Sequence, residues 1–356
     1  MSPSHPLPVL RGRGAAWNPP NRFERLHLER DGWTDPDDPA PETEIFEDAT
    51  RSILSHNDSP DVGFDVGLNP YRGCSHGCAY CYARPTHEYI GFSAGLDFET
   101  KILVKKGAPD LLRAALSSRR WEPRPIMMSG VTDPYQPAER RLRVTRRCLE
   151  VLSEFGNPVS ITTKSYLVTR DADILSDLAR RDAASVTLSI TTLRNEVQRV
   201  MEPRASTPAR RLGAIRVLAR AGIPVGVCVA PVVPGLTDHE LPAILEAAAD
   251  AGASFAVYIV LRLPHGVKEI FEAWLGQHFP DRKEKVLNRL RELRRGKLYD
   301  SRFSVRGRGE GPWAEQLRTL FEVTRARNGL NRYPELSCSS FRKPPVAPPA
   351  QTDLFV

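Results

Sequence analysis

Asn69-Pro70-Tyr71-Arg72-Gly73-Cys74-Ser75-His76-Gly77-Cys78-Ala79-Tyr80-Cys81-Tyr82-Ala83-Arg84 is the stretch around which this chain of 356 residues is organised. Three of its six cysteines sit here, spaced C-x3-C-x2-C. Thiolates are favoured ligands of soft iron and of iron–sulfur clusters. Gly73 and Gly77 let the backbone turn tightly enough to aim Cys74, Cys78 and Cys81 at one centre. A cubane has more irons than this loop has thiols, so one iron stays open to a non-protein ligand. Three alternatives compete with that reading. Buried core thiols fit poorly among Gly, Ser, His and Arg. A disulfide fits poorly in a chain with no sign of export. A structural zinc needs a fourth ligand, which His76 or His87 supplies.

The aromatic Tyr80 immediately before the last cysteine completes a motif that resembles the signature of the radical S-adenosylmethionine (SAM) superfamily. The longer run NPYRGCSHGCAYCYARPTH, residues 69–87, followed by GFSAGLDFETKI, residues 91–102, resembles the uncharacterised branch related to spore photoproduct lyase. The likeness spans about residues 45–265. It implies a [4Fe-4S] cluster on Cys74, Cys78 and Cys81 whose open iron binds SAM. It also implies reductive cleavage of SAM to a 5′-deoxyadenosyl radical that removes a substrate hydrogen, with a reductant such as flavodoxin or ferredoxin. Cofactors of this kind carry the difficult chemistry while the protein positions them and excludes water.

Hydrophobic residues make up 41% and charged ones 26% of the chain, which reads as soluble and globular. No run approaches a membrane span and the N-terminus has no apolar core of a signal peptide, so a cytoplasmic location with reduced thiols is expected. Residues 1–42 read as an irregular, proline-rich arm, and 43–55 alternates enough to add a strand near the mouth of a barrel. From Phe64 short apolar strands alternate with amphipathic helices. The strands are Phe64–Leu68, Ile126–Gly130, Val159–Thr163, Ser185–Ile190, Val225–Ala230 and Ser254–Leu261. The helices are Pro109–Arg119, Ala138–Phe155, Ala172–Arg181, Pro208–Ala221 and His239–Ala251. Pro208 suits a helix start and Gly222 a helix stop. The fold class is therefore α/β: a partial (β/α)6 TIM-type barrel over residues 43–265. A helical, basic extension follows over 266–340, and then a flexible tail, 341–356.

Sites in this architecture lie at the C-terminal tips of the strands. Those tips carry the cysteine loop, Ser129 to Tyr135, Thr162-Thr163-Lys164, Ser189-Ile190 with Glu202-Pro203-Arg204 beyond, and Ala230-Pro231. The resemblance implies roles for several of them. Tyr80 presents backbone groups to the adenine, and Tyr82 packs beside cluster and SAM. Thr132 and Asp133 hold the methionine amino end, Lys164 meets its carboxylate, and Ser189 and Ala230 contact SAM. One departure stands out. The photoproduct lyase has a cysteine at the second strand tip that returns hydrogen to the product, and here that stretch has no thiol. Tyr135, Cys228 and Cys338 are the candidate substitutes, and the catalytic residue is left unassigned.

The net charge is +7, and residues 281–308 hold eleven Lys or Arg against four Asp or Glu. Val286, Leu287, Leu290 and Leu293 recur at helical spacing, with Arg289, Arg291, Arg294 and Arg295 off that stripe. Such a face is either merely solvated or a phosphate-backbone contact. After a proline-rich spacer the tail ends with Gln351, Leu354 and Phe355 in a pattern that resembles the bacterial sliding-clamp-binding peptide. The expected activity is radical SAM chemistry on nucleic acid, in DNA repair or base modification. The alternatives are action on RNA, a peptide or a small molecule, or a non-catalytic, metal-stabilised module that docks on the clamp.

Overall fold

The computed structural model describes residues 9–24 and 41–344. The clamp-like peptide Gln351, Leu354 and Phe355 therefore lies outside the described residues, as does part of the N-terminal arm. Ten strands are formed: β1 Glu44–Glu47, β2 Leu54–His56, β3 Val66–Leu68, β4 Tyr71–Arg72, β5 Lys101–Val104, β6 Ile126–Met128, β7 Val159–Thr163, β8 Ala184–Ser189, β9 Val225–Val232 and β10 Phe255–Val260. The main sheet runs β10-β9-β8-β7-β6-β3-β2. Its strands from β3 to β10 are all parallel, and β2 closes one edge antiparallel to β3. The six parallel strands are the six read from the sequence, and the sheet is open, without barrel closure.

Parallel strands need crossovers, and the helices that provide them cover the outer face. They begin with α1 Leu96–Thr100 and α2 Ala108–Ser117. α3 Glu139–Leu142, α4 Val144–Phe155, α5 Ala172–Ala179, α6 Asn195–Met201, α7 Pro208–Arg220 and α8 Leu241–Asp250 follow. Leu149, Leu152, Leu175, Leu178, Ile215 and Leu218 bury their stripes against the sheet. All six residues of β8 are buried because helices and cavity cover both faces. Thr207 caps α7 by accepting from Arg210 N, with Pro208 in the first turn, and Gly222 follows with φ +74°.

Three expectations need correction. The single helix Ala138–Phe155 is two, broken at Arg143, whose φ of 52° is left-handed. The cause is the buried Glu139 carboxylate, which accepts from Thr145 N at 3.0 Å and also takes the Tyr71 hydroxyl, so α4 must start afresh over it. The stretch 43–55 gives two strands. β1 pairs with β5, and β5 with β4, in a separate three-stranded sheet; β2 joins the main one. Gly130 leaves the strand, with φ +117°, and β6 ends at Met128.

The C-terminal part adds α9 Val267–His278, α10 Pro280–Glu292 and α11 Pro312–Arg327. Gly307 O accepts from Val260 N at 2.9 Å, so the far edge of β10 is covered by this segment. Most of its cations are engaged internally rather than lined up on a free face. Arg294 is buried and donates to the carbonyls of Leu298 and Leu261, and burial pushes its pKa down to about 10. Arg295 and Arg302 pair with Glu310, and Arg306 pairs with Asp61. Arg294, read from helical spacing as off the apolar stripe, is thus turned inward, while Arg295 stays exposed beside Glu310.

Candidate active site

β4 runs straight into the cysteine loop, and glycine sets its path. Gly73 and Gly77 have φ of +76° and +69°. A Cβ on Gly73 would meet Phe98 O at 2.9 Å, and one on Gly77 would meet Glu99 Oε2 at 2.8 Å. The loop is then held from behind by Arg84, which is wholly buried. Its Nε and one terminal nitrogen donate to Cys78 O at 3.0 and 2.8 Å, and the other terminal nitrogen reaches Gly95 O at 2.8 Å. Arg84 also pairs with buried Glu99, whose oxygens accept from Gly14 N at 3.1 Å and Ala15 N at 2.8 Å. The described part of the N-terminal arm is irregular, and this carboxylate ties it to the loop.

Cys74, Cys78 and Cys81 form one wall of a cavity, open on one side, at the C-terminal ends of the strands. Burial pushes all three thiols upward; at Cys74 Asp133 adds to this and at Cys78 Glu202 does. Iron must therefore displace protons to bind. Among the described residues no three His, Cys, Asp or Glu side chains gather so as to hold one metal ion. His76 Nδ1 lies 3.4 Å from Asp133 Oδ2, and His87 Nε2 meets Lys101 O at 2.9 Å, with burial holding its pKa down to about 4. The single-zinc reading thus finds no ligand set. Three thiols on a shared wall, with no fourth ligand beside them, suit a cluster that meets each cysteine at a separate iron.

The opposite walls carry the other residues singled out in the sequence. Asp133 accepts from Thr163 Oγ1 at 2.6 Å and from the backbone of Lys164 at 2.8 Å and Tyr135 at 2.8 Å. Burial opposes its ionisation, but His76 and these donors outweigh burial and keep it below the ordinary carboxylate range. Lys164 Nζ reaches Ser189 Oγ at 2.7 Å, Ala230 O at 3.0 Å and Glu202 Oε1 at 3.3 Å, and lies 5.7 Å from the centre of the Tyr80 ring. Three strand tips are thereby drawn to one ammonium. Thr132 behaves differently. Its hydroxyl donates to Gly73 O at 2.6 Å and so braces the loop. Tyr82 donates to Gly130 O at 2.8 Å, and its half-exposed ring forms part of the cavity rim.

Four residues shape the site in ways the sequence reading assigned to none of them. Glu202 is fully buried and accepts from the Tyr80 hydroxyl, from Thr191 Oγ1 at 2.7 Å, and from Arg211 of α7. Burial works against its charge, yet Arg211 and then Lys164 hold its pKa well below the usual range. Arg211 also donates to Ser189 O at 2.9 Å. Glu202 was visible as a polar turn beyond the fourth strand, but nothing local marks Arg211 or Thr191 as its partners. The fourth is Arg262, just past β10. Its guanidinium lies 5.1 Å from the Tyr82 ring centre, its Nε is buried without a partner, and it makes no ion pair among the described residues. Of the substitutes considered for the absent second-tip cysteine, Cys228 lines the cavity, whereas Tyr135 and Cys338 do not.

A parallel α/β sheet with a mostly apolar cavity at the carboxyl ends of its strands, set with a few polar groups, defines a class of enzymes that bind small ligands there. Within that class the assignment is direct: a profile of the Radical SAM superfamily matches residues 68–248, and the chain belongs to that superfamily. It is 38% identical over 236 residues to an uncharacterised protein of Mycobacterium tuberculosis, covering 65% of this chain and 68% of the relative. A mutant of spore photoproduct lyase has a similar fold, with a TM-score of 0.57, 19% identity, and coverage of 80% of this chain and 79% of the lyase. The same lyase complexed with dinucleoside spore photoproduct aligns with a TM-score of 0.56 at 17% identity, over 80% of this chain and 79% of that one. The chain is therefore a radical SAM enzyme, and its cofactors are those of its superfamily, a [4Fe-4S] cluster and SAM. Among the described residues no helix is long and apolar enough to cross a membrane.

Proposed function

We propose that Cys74, Cys78 and Cys81 hold the cluster, that SAM lies in the adjoining cavity, and that the enzyme acts on nucleic acid in repair or base modification. Bound together, the two cofactors supply a 5′-deoxyadenosyl radical able to take a hydrogen atom from a substrate. The protein's share is positioning. Asp133, anionic and fixed by three donors, offers an acceptor to an amino group, and Lys164 offers a cation already oriented by Ser189 and Ala230. Tyr80 is locked by its hydroxyl to Glu202, leaving its backbone to face the ligand. Val260 and Leu261 give the cavity an apolar side that excludes water.

The observation that carries this reading is the placement of the three thiols, Asp133, Lys164, Ser189 and Ala230 around one cavity. Arg262 supports an anionic substrate, since it lines that cavity and makes no direct ion pair among the described residues, its Nε being buried without a hydrogen-bond partner. Spore photoproduct lyase, similar in fold, was solved with a dinucleoside photoproduct, which fits the same substrate class. Anaerobic reconstitution with iron and sulfide, then dithionite and SAM, is expected to yield a brown protein that forms 5′-deoxyadenosine. A colourless protein retaining one zinc and forming none would sink the proposal. Deuterium-labelled SAM then identifies the substrate polymer, and label found only in peptide or metabolite pools rejects nucleic acid.

In vivo the electron comes from a small reductant of the flavodoxin or ferredoxin kind. The tail, with Gln351, Leu354 and Phe355, docks on a sliding clamp. Deletion of residues 351–356 is expected to abolish clamp binding in a pull-down with purified clamp while leaving 5′-deoxyadenosine formation intact. Retained binding rejects the docking role.

A further inference from the structure

A second cavity, open to solvent, lies between the loops that follow β8 and β9 and the outer face of α10. Its lining carries four cations, Arg194, Arg282, Lys285 and Arg289, against one carboxylate, Asp238, with His239 between them. Arg194 is held by Glu240 Oε1 at 3.1 Å and Leu236 O at 2.9 Å, and Arg289 by Glu292 Oε2 at 2.8 Å. Arg282 and Lys285 are exposed, and no side-chain hydrogen bond or ion pair joins them to a described residue. Lys285 is nonetheless placed. Its aliphatic stem lies against bare Gly235, where a Cβ would stand 3.2 Å from Lys285 Cγ, so the stem is packed and the ammonium faces the cleft.

From this geometry we infer that the second cavity binds the phosphodiester backbone of a nucleic-acid substrate, with Arg282 and Lys285 as its direct phosphate contacts. The inference rests on the nucleic-acid reading above and gives it a place on the surface. Arg282 and Lys285, exposed and without a carboxylate partner, repel one another across the cleft, and a polyanion relieves that repulsion. Elsewhere in the basic segment Arg294 is turned inward, and Arg295, Arg302 and Arg306 pair with carboxylates. Trp313 in the lining supplies a flat apolar wall, a common companion of cationic grooves that track a strand.

Neighbouring residues connect this cleft to the first cavity: Thr191 donates to Glu202, the partner of Tyr80, while the next residue, Thr192, donates to Glu240 at 2.8 Å, the partner of Arg194.

The test uses the full-length reconstituted protein and fluorescently labelled DNA duplex or RNA of one length, titrated over a range of salt. For Arg282→Gln/Lys285→Gln, binding is expected to weaken and the slope of log affinity against log salt to flatten by about 1.8, or 0.9 per lost contact. Arg282→Lys retains the charge and should keep wild-type binding. So should Lys297→Gln, which removes an exposed lysine of the same segment outside the cleft. Uncoupled 5′-deoxyadenosine formation and the unfolding midpoint are expected to stay unchanged, since Val286, Leu287 and Leu290 keep α10 seated. If the double variant binds with the wild-type slope, the cleft is not the contact and the nucleic-acid reading survives. If the wild-type protein shows no salt-dependent binding to either polymer, both fail. Preference for DNA or RNA names the polymer, and either supports the cleft.

Discussion

Alanine at Cys74, Cys78 or Cys81 is expected to abolish iron retention and with it all detectable 5′-deoxyadenosine formation. Under the proposed ligation each thiol answers for a separate iron, so two cannot stand in for three, and His76 is turned toward Asp133. The loop itself should survive the substitution, because its path depends on Gly73, Gly77 and the Arg84–Glu99 pair rather than on the sulfurs. Far-ultraviolet circular dichroism close to wild type, together with a colourless protein, is therefore the expected combination. Cys338→Ser, in the C-terminal segment, should bind iron normally. Cys228→Ala, inside the cavity but apart from the trio, should also keep its iron. A trio variant that holds full iron and cleaves SAM would overturn the ligand assignment.

The second large effect is expected at the buried pair behind Tyr80. Arg211→Met leaves Glu202 fully buried with Lys164 as its one cation among the described residues, and breaking such a pair costs about 3–5 kcal/mol. The double variant Glu202→Gln/Arg211→Met removes the stranded charge and should recover part of that loss. Denaturant unfolding measures both, and a double variant no more stable than the single one would contradict the assigned cause. The pH dependence follows from the sign of the shift. Glu202 has its pKa depressed in the folded state, so it contributes stability above its unfolded value near 4.5, lost progressively as pH falls below that. Arg211→Met should thus lower stability at neutral pH and flatten its acid dependence.

Much of this protein was legible in one dimension. The six parallel strands announced themselves as short apolar runs between amphipathic segments, and α7 through Thr207, Pro208 and Gly222. The break at Arg143 was not legible, because it answers to Glu139 and Tyr71, which lie far apart in the chain. Strands β4 and β5 were missed for a related reason. A two-residue strand has no period to read, and β5 looks like the end of a helix until β1 pairs with it.

The sequence alone determined the cysteine spacing, the glycines that shape the loop, and the succession of β/α units, since each depends on neighbours within a turn or two of chain. Tertiary structure decided which charges meet. It joined Glu202 to Arg211, Lys164 and Tyr80, left Arg262 without an ion pair among the described residues, and turned Arg294 inward while leaving Arg282 and Lys285 exposed. Composition states how many charges a chain carries. Only the packing of distant segments removes some of them from water and pairs them, and that selection sets the electrostatics of both cavities.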